Sequence, residues 1–193
     1  MAGYRFTDDW YLSAQPQTAR DLLRRVEDWP DWWPSSLAVE PAAPQDPRGT
    51  GEAWTFTFQT RLPYRMSFQA DVVGEEPLGV DTTIVGRVRG EGRWRVLPVP
   101  GGSRIHFDWL VDPQLWWMRL LSPLARPAFI WNHQVLMAEG ARGFADELDE
   151  TLLEPPGCTP PLRSATLQVA AGLGLLAGLV LLGHRLLRRS RLS

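Results

Sequence analysis

Apolar and polar residues alternate along four stretches in the middle of the chain. In each stretch the apolar residues fall on every second position, so an extended backbone would place them all on one side. The apolar sets are Trp54, Phe56 and Phe58; Met66, Phe68, Ala70 and Val72; Trp94 and Val96; and Ile105, Phe107, Trp109 and Val111. A period of two with one apolar side predicts an antiparallel sheet covered on one face only.

Other segments extend this sheet and precede it with two short helices. Strands are predicted over residues 4–14, 37–42, 51–60, 64–73, 80–89, 92–97 and 104–111, with proline and glycine breakers between them. An amphipathic pattern predicts a helix over residues 16–26, and a second helical turn is predicted over 29–34. The order is therefore strand, two short helices and a run of strands.

A long helix follows the strands and has to cover the apolar face of the sheet. Pro123 and Pro127 interrupt its first part, because proline lacks an N–H donor and its ring clashes with the preceding turn. We therefore expect continuous helix from about residue 127 to 152. One stripe of this helix carries residues at spacings of three and four, namely Phe129, His133, Met137, Gly140, Phe144 and Leu148. The predicted fold class is α+β, a curved antiparallel sheet with a long C-terminal helix.

An uncharged apolar stretch lies near the C-terminus, from Ala165 to Gly183. At about 1.5 Å per residue a helix of this length spans roughly 28 Å, close to the thickness of the bilayer core. Because the stretch has no polar face, we predict a transmembrane helix rather than a buried helix of the domain. Ala170, Gly174 and Gly178 form a row of small residues that could pair two such helices into a homodimer.

These patterns divide the chain into four parts. We predict a globular domain over residues 1–152, a proline-rich linker over 153–164, the transmembrane helix over 165–183 and an Arg-rich tail over 184–193. Cys158, in the linker, is interpreted as a free thiol, with acylation or an intermolecular disulfide as alternatives. The N-terminus has no apolar signal region, which places the domain in the cytoplasm, whereas the arginines after the helix favour the opposite orientation. We expect a single-pass membrane protein with a cytoplasmic domain.

Charge and composition exclude several functional classes. Residues 1–162 carry 15 arginines and 22 acidic residues, while residues 163–193 carry 5 arginines and no acid. The acidic body argues against nucleic-acid binding, which needs a basic face. The single cysteine excludes an internal disulfide, and no cluster of Cys and His has the spacing of a zinc site. No phosphate-binding glycine loop or nucleophile elbow is present, so no cofactor is predicted.

Aromatic side chains on the inner face of the sheet leave two interpretations open, a packed core or a ligand cavity. Flat rings fill space irregularly, and apolar pockets with few polar groups are the usual small-molecule sites. The candidate ligand-binding residues are Trp54, Phe56, Phe58, Met66, Phe68, Trp94, Phe107, Trp109, Phe129, His133 and Met137. His133, the one titratable residue of the helix stripe, is either structural or the candidate catalytic acid or base, with Asn132 or an arginine as helper.

Two further groups of residues have competing interpretations. The first consists of tryptophans that either pack the helices together or contact a membrane interface, where tryptophan is favoured. These are Trp29, Trp32 and Trp33 in one group and Trp116 and Trp117 in another. The alternation places His106 and Asp108 on the outer face of the sheet, where solvated pairs with Arg93 or Arg95 are expected.

Three stretches resemble the helix-grip fold of the SRPBCC superfamily, which includes START-related lipid-transfer domains, birch-pollen-allergen-like proteins and polyketide cyclases. Residues 10–19 resemble its first strand and helix, residues 26–34 its second short helix, and residues 131–144 the C-terminal helix of its polyketide cyclase/dehydrase-like members. The resemblance covers about residues 3–150. It implies a ligand cavity between helix and sheet, and it implies little about chemistry because fold does not carry function across such a group.

Three functions remain in competition at this point. The first is a membrane-tethered binder or carrier of a hydrophobic small molecule, such as a lipid or a polyketide-like aromatic. The second is an enzyme of the cyclase/aromatase kind, for which a single inner histidine without an inner acid is thin support. The third is a non-catalytic interaction domain with a filled core, anchored at the membrane.

Overall fold

A computed structural model describes residues 3–156 of the chain, and the predicted linker beyond Pro156, transmembrane helix and tail lie outside these residues. The strands are β1 (Tyr4–Leu12), β2 (Ser36–Pro41), β3 (Ala53–Gln59), β4 (Arg65–Glu76), β5 (Gly79–Gly86), β6 (Val88–Val99) and β7 (Gly102–Pro113). The helices are α1 (Pro16–Arg24), α2 (Trp29–Trp32) and α3 (Trp116–Glu147), with a 3₁₀ turn at Val26–Asp28. Every predicted strand is present, with its ends moved by a few residues.

The seven strands form one antiparallel sheet in the order β1-β7-β6-β5-β4-β3-β2. Strands β2 to β7 follow one another as hairpin neighbours, and β1 pairs with β7, so the first and last strands of the domain lie side by side. The sheet curls into a half-barrel, and α3 lies on its concave side. This confirms the predicted antiparallel sheet with a C-terminal helix.

The inner face of the sheet and α3 share one apolar core. Trp10, Phe107 and Phe144 come from β1, β7 and α3, and each is at most 2% exposed. Their rings contact each other, with centroids 4.7 Å apart for Trp10 and Phe107 and 5.8 Å apart for Trp10 and Phe144. Burying such large side chains contributes much of the stability of a domain of this size.

Helix α2 packs directly on α3 because two glycines open a space for it. The ring of Trp33 lies on Gly140, and its Nε1 donates to the carbonyl oxygen of Leu136 at 2.9 Å. The backbone of Trp32 lies on Gly143, where a side chain has no room. Trp29, Trp32 and Trp33 are all buried, so the interpretation of these residues as packing groups is correct.

Helix α3 differs at both ends from the predicted helix over residues 127–152. It begins at Trp116 and continues through Pro123 and Pro127, because proline removes one hydrogen bond but does not prevent the remaining ones from forming. It ends at Glu147, and Asp149 follows in the left-handed region at φ 53°, a conformation that Asp tolerates better than most residues. The chain then returns to β1, where Leu153 N donates to Tyr11 O at 2.8 Å.

The outer face of the sheet is polar, but it is not fully open to solvent. Asp71 of β4 points outward and is nevertheless completely buried, since the segment before β3 covers it. Its carboxylate accepts the backbone N–H groups of Gln45 and Asp46, both at 2.6 Å. This part of the sheet therefore departs from the prediction that only one face is covered.

Candidate functional site

A cavity of about 210 Å³ lies between the concave face of the sheet and α3. Its wall is almost entirely apolar, because the strands turn every second side chain inward and α3 contributes its own apolar stripe. The predicted alternative of a completely filled core is therefore wrong for this part of the domain. Pockets of this character are the usual sites of small-molecule binding.

Every residue proposed from the sequence as ligand-binding lies in the cavity wall. The set consists of Trp54, Phe56, Phe58, Met66, Phe68, Trp94, Phe107, Trp109, Phe129, His133 and Met137. Strands β3, β4, β6 and β7 position the first eight residues, and α3 positions the last three. The structure brings them together; that they bind a ligand stays a prediction.

The cavity extends between two differently built ends. At one end lies a small apolar cluster formed by Tyr4 of β1, by Tyr64 in the segment before β4, and by Met118 and Phe129 of α3. Burial, with a smaller contribution from Tyr4, raises the pKa of Tyr64 to about 12, so its phenol stays neutral at physiological pH. The phenol of Tyr64 therefore adds no charge to the cavity.

Charged groups border the opposite end, beside the last turn of α1. Arg24 contacts Glu52 at 3.0 Å and Glu75 at 3.2 Å, and Trp54 Nε1 donates to the Glu52 carboxylate at 2.9 Å. The Arg24 and Glu52 side chains are 23% and 30% exposed, so they form a rim between the cavity and solvent. Arg24 and Glu52 are thus partly exposed charged residues of the cavity wall that are already ion-paired.

His133 is one of the polar residues of the largely apolar cavity wall, and its partner Asp8 does not itself line the cavity. His133 of α3 contacts Asp8 of β1, with 2.7 Å between Nε2 and Oδ2, and the two side chains are 21% and 17% exposed. Phe6 stacks on the imidazole ring with a centroid distance of 4.0 Å and an interplanar angle of 18°. Histidine next to a carboxylate is the usual arrangement of an oriented acid or base.

Asp8 is the site residue that the sequence interpretation missed. It occupies an inward position of β1, in the series Tyr4, Phe6, Asp8 and Trp10, at the same period of two as the other strands. The signal was present, but Thr7 and Asp9 on either side are polar as well, and this masks the alternation. His133 therefore has Asp8 as a neighbouring acid on the inner side of the sheet. The lack of such an acid was the argument from sequence against a catalytic site.

Asn132, the residue proposed as a helper of His133, holds a neighbouring loop in place. Its side-chain oxygen accepts the backbone N–H of Arg61 at 2.8 Å, and the Arg61 guanidinium pairs with Glu139 of α3. Thr60 stabilises the same loop, because its Oγ1 donates a hydrogen bond to the carbonyl oxygen of Leu62 at 2.8 Å. These bonds fix the segment that carries Tyr64 into the cavity.

His106 and Asp108 lie on the outer face as predicted, but their predicted partners are wrong. His106 Nδ1 lies 2.8 Å from Asp9, and Asp108 accepts from Arg5 at 2.9 Å. Both partners belong to β1, although Arg93 and Arg95 of β6 lie opposite Asp108 and His106 in the sheet. Burial acts to raise the pKa of Asp9, but hydrogen bonds from Arg104 and His106 outweigh it, so that pKa is lowered. Neither His106 nor Asp108 lines the cavity.

The described residues hold neither a metal-binding cluster nor a candidate membrane span. Across residues 3–156, His, Asp and Glu nowhere gather in a group suited to a metal ion. Within the same range, no helix combines the length and apolar character needed to cross a bilayer. The predicted span Ala165–Gly183, with its row of small residues, and Cys158 lie outside these residues. Of Trp116 and Trp117, the other pair proposed to contact a membrane interface, Trp116 is 75% exposed.

Solved structures with the same fold share little sequence with this chain. The Zhui aromatase/cyclase from Streptomyces sp. R1128 has a TM-score of 0.60 at 12% identity, covering 77% of this chain and 94% of that one. A START superfamily protein from Mycobacterium smegmatis has a TM-score of 0.53 at 17% identity, covering 76% and 98%. The di-domain ARO/CYC protein BexL has a TM-score of 0.57 at 12% identity, covering 75% of this chain but only 49% of its own, so this chain spans about half of it. These likenesses show the fold alone.

Sequence comparison gives the family. No curated protein matches the chain. A family model described as "Polyketide cyclase / dehydrase and lipid transport" matches residues 5–149, which include all the strands except the first residue of β1, as well as the whole of α3. The chain therefore belongs to the polyketide cyclase/dehydrase and lipid transport family.

Proposed function

We propose that the domain binds a compact, flat, hydrophobic molecule in the cavity between the sheet and α3. The single observation that carries the proposal is an apolar cavity, already open in the fold, that is lined by aromatic residues from five strands and α3. Family membership supports the same role, since the family name covers cyclisation and lipid transport.

The size of the cavity narrows the choice of ligand. Sites for drug-sized molecules enclose roughly 300–1,000 Å³, and the cavity holds about 210 Å³. A molecule of two or three fused rings matches this space better than a lipid with two acyl chains. Phe56, Phe58 and Phe68 lie nearly parallel to one another, with interplanar angles of 9–21°, which favours flat ligands.

The second part of the proposal is that a C-terminal anchor holds the cytoplasmic domain at a membrane. The anchor itself is supported by the sequence pattern alone, namely the length and uncharged character of residues 165–183. A tether would keep the cavity close to a reservoir of dissolved hydrophobic molecules and raise their local concentration. Pairing of two anchors through Gly174 and Gly178 is an extension of this proposal.

Binding is tested with the full chain reconstituted in lipid nanodiscs and 2-naphthol as the probe. Trp54, Trp94 and Trp109 line the cavity, so we expect saturable quenching of tryptophan emission at a stoichiometry of one, beyond the signal of partition into empty nanodiscs. Absence of saturable quenching would contradict binding in the cavity. A chain that does not co-purify with nanodiscs would contradict the tether.

The Asp8–His133 pair favours an enzyme as the second candidate. A histidine held by a carboxylate at the wall of an apolar cavity can remove a proton from carbon next to a carbonyl group, which is the first step of a cyclisation. The products of this step are an enolate and the protonated imidazole, and the proton returns when the enolate is quenched. Only turnover of a substrate would distinguish an enzyme from a binding protein, because the Asp8–His133 pair would be equally suited to orient a bound molecule.

Proton exchange separates these two roles. We expect the full chain to accelerate deuterium uptake at the α-carbon of 1-tetralone in D₂O by about 100-fold over His133→Gln, in line with the usual contribution of a general base. Proton NMR follows the exchange, with Arg142→Ala as the control because Arg142 is exposed and does not line the cavity. Equal rates for wild type and His133→Gln would reject the enzyme and leave the binding proposal intact.

A further inference from the structure

Two large apolar side chains at the start of α3 are exposed to solvent. Trp116 is 75% exposed and Leu120 is 69% exposed, although Met118 between them is buried and lines the cavity. Trp116 and Leu120 are four positions apart, so they lie one turn from each other on the same side of the helix. Isolated exposed leucines are ordinary on a protein surface, whereas an open tryptophan beside a leucine forms an apolar patch that calls for a partner.

Exposed arginines lie beside this apolar patch. The backbone N–H of Gln114 donates to the carbonyl oxygen of Arg87 at 2.9 Å, and Arg87 Nη1 donates to the carbonyl oxygen of Arg65 at 2.9 Å. Within residues 3–156 neither arginine forms an ion pair, and Asp112, the acidic residue at this end of β7, lies opposite a third arginine, Arg89. This end of the domain therefore carries an excess of positive charge.

We call Trp116, Leu120, Arg65 and Arg87 together the Trp116 surface. Arginines at the opposite end of the sheet are instead neutralised by neighbouring acids. The pairs there are Arg24 with Glu52, Arg25 with Asp28 and Arg95 with Asp81, at 3.0, 3.5 and 2.8 Å. The Trp116 surface differs from that end in both its open indole ring and its unneutralised arginines.

An anionic lipid bilayer matches both properties of the Trp116 surface. Tryptophan is enriched at the interface between membrane and water, and arginines close to an anionic leaflet are attracted to its headgroups. A second copy of the chain is a poorer match, because a symmetric contact would bring the same arginines face to face. Charge and side-chain type therefore favour lipid as the partner.

The linker is long enough to bring this surface to the bilayer that would hold the predicted anchor. The backbone N–H of Leu153 donates to Tyr11 of β1, and eleven residues separate Leu153 from Ala165. Such a segment reaches at most about 40 Å when extended, and the 32 residues of α3 span about 48 Å. Trp116 lies at the far end of α3, so it reaches the membrane when the helix is tilted away from the membrane normal.

We propose that the Trp116 surface docks on an anionic lipid bilayer, with the indole ring at the interface and the arginines at lipid phosphates. The inference rests on the proposed tether, and it adds the surface and the lipid charge that orient the tethered domain. Tyr4 and Met118 lie behind this surface, so docking brings their end of the cavity to the membrane.

The test uses the full chain with a fluorescent label at position 120, at one chain per lipid nanodisc. Leu120→Cys is labelled with NBD in a Cys158→Ser background, so that a single thiol reacts. Lipid protects this label from reduction by dithionite. We expect protection in discs of equal amounts of phosphatidylcholine and phosphatidylglycerol, and much less in phosphatidylcholine alone. The matched control is Leu97→Cys, labelled at an exposed leucine at the opposite end of the sheet, which should stay accessible in both.

Substitutions identify the groups that dock. Arg65→Gln and Arg87→Gln should each lower the ratio of docked to free domain about fivefold, the usual contribution of one arginine near an anionic surface. Arg25→Gln is the control, because Arg25 is 58% exposed at the opposite end, and it should leave the ratio unchanged. Trp116→Ala should lower the ratio at least as much as either arginine variant, since it removes the ring that enters the interface.

The outcomes separate failure of docking from failure of the tether. Equal accessibility of the labels at positions 120 and 97 in the mixed discs would overturn docking, and co-purification with nanodiscs would still support the tether. Protection that needs a second chain in the disc would assign this face to another copy and reject lipid as the partner. Protection that is equal with and without phosphatidylglycerol would overturn the role of the arginines.

A chain that does not co-purify with nanodiscs would contradict the tether and leave the surface to be tested by itself. The labelled chain is then mixed with vesicles of the same two compositions. Protection at position 120 that requires phosphatidylglycerol would support docking, and accessibility in both kinds of vesicle would reject it.

Discussion

Replacing Gly143 with alanine should lower the free energy of unfolding by about 3 kcal/mol, the upper end of what overpacking usually costs. A Cβ atom at this position would lie 1.7 Å from the carbonyl oxygen of Trp32, and a backbone oxygen cannot rotate away as a side chain can. Helix propensity alone predicts the opposite sign, since alanine is favoured over glycine by about 1 kcal/mol within a helix. The sign of the change therefore decides whether the contact between α2 and α3 is as close as the structure shows.

The measurement is urea or thermal unfolding of the full chain, followed by tryptophan fluorescence. For a chain of this length the loss corresponds to a fall in Tm of about 6–12 °C. Gly140→Ala should cost less, because its Cβ meets the ring of Trp33 rather than backbone, and Arg142→Ala on the exposed side should change little. A Gly143→Ala variant at least as stable as wild type would show that α2 is free to move off α3.

This contact matters for the site because α2 forms part of the cavity wall. Trp29 and Trp33 line the cavity, and the bond from Trp33 Nε1 to Leu136 fixes one of them on α3. Displacing α2 would therefore widen or collapse the space between sheet and helix. Stability and ligand affinity are expected to fall together in Gly143→Ala, unlike in a variant that only fills the cavity.

The sequence predicted the wall of the cavity well because strand alternation is a local property. Trp54, Phe56 and Phe58 each reveal their side of the sheet within a few residues of chain, and the stripe from Phe129 to Phe144 does the same for the helix. Whether rings that face one another leave a void depends on their distances across the fold. That depends on the curl of the sheet and is not encoded in any short stretch.

The polar part of the site was harder to predict, since it depends on contacts between distant segments. Asp8 and His133 are separated by 125 positions, and they meet because β1 pairs with β7 and α3 packs against both strands. The same strand pairing supplied the partners of His106, which had been sought on the neighbouring strand in sequence. The start of α3 was misplaced for a different reason, because proline lowers helix stability without determining where a helix begins.

Replacing Ala70 with phenylalanine should weaken 2-naphthol binding at least 100-fold, equivalent to about 2.7 kcal/mol. Ala70 is a small apolar residue of the cavity wall, and it lies on β4 between Trp54 of β3 and Ile84 of β5. A phenyl ring at this position projects into space that the ligand would occupy. Stability should change little by comparison, because the ring enters an existing void instead of a packed region.

Two further variants make this result interpretable. Ser67→Phe adds the same ring to the outer face of β4, so it controls for the effect of an added aromatic group on the strand and should bind like wild type. Val72→Phe fills the cavity from a second position and guards against misfolding of the first variant. Tryptophan quenching measures affinity, and the unfolding transition shows that each variant is folded. Wild-type affinity in folded Ala70→Phe and Val72→Phe would show that the ligand binds outside this cavity. The proposed role of the aromatic wall in binding would then be wrong.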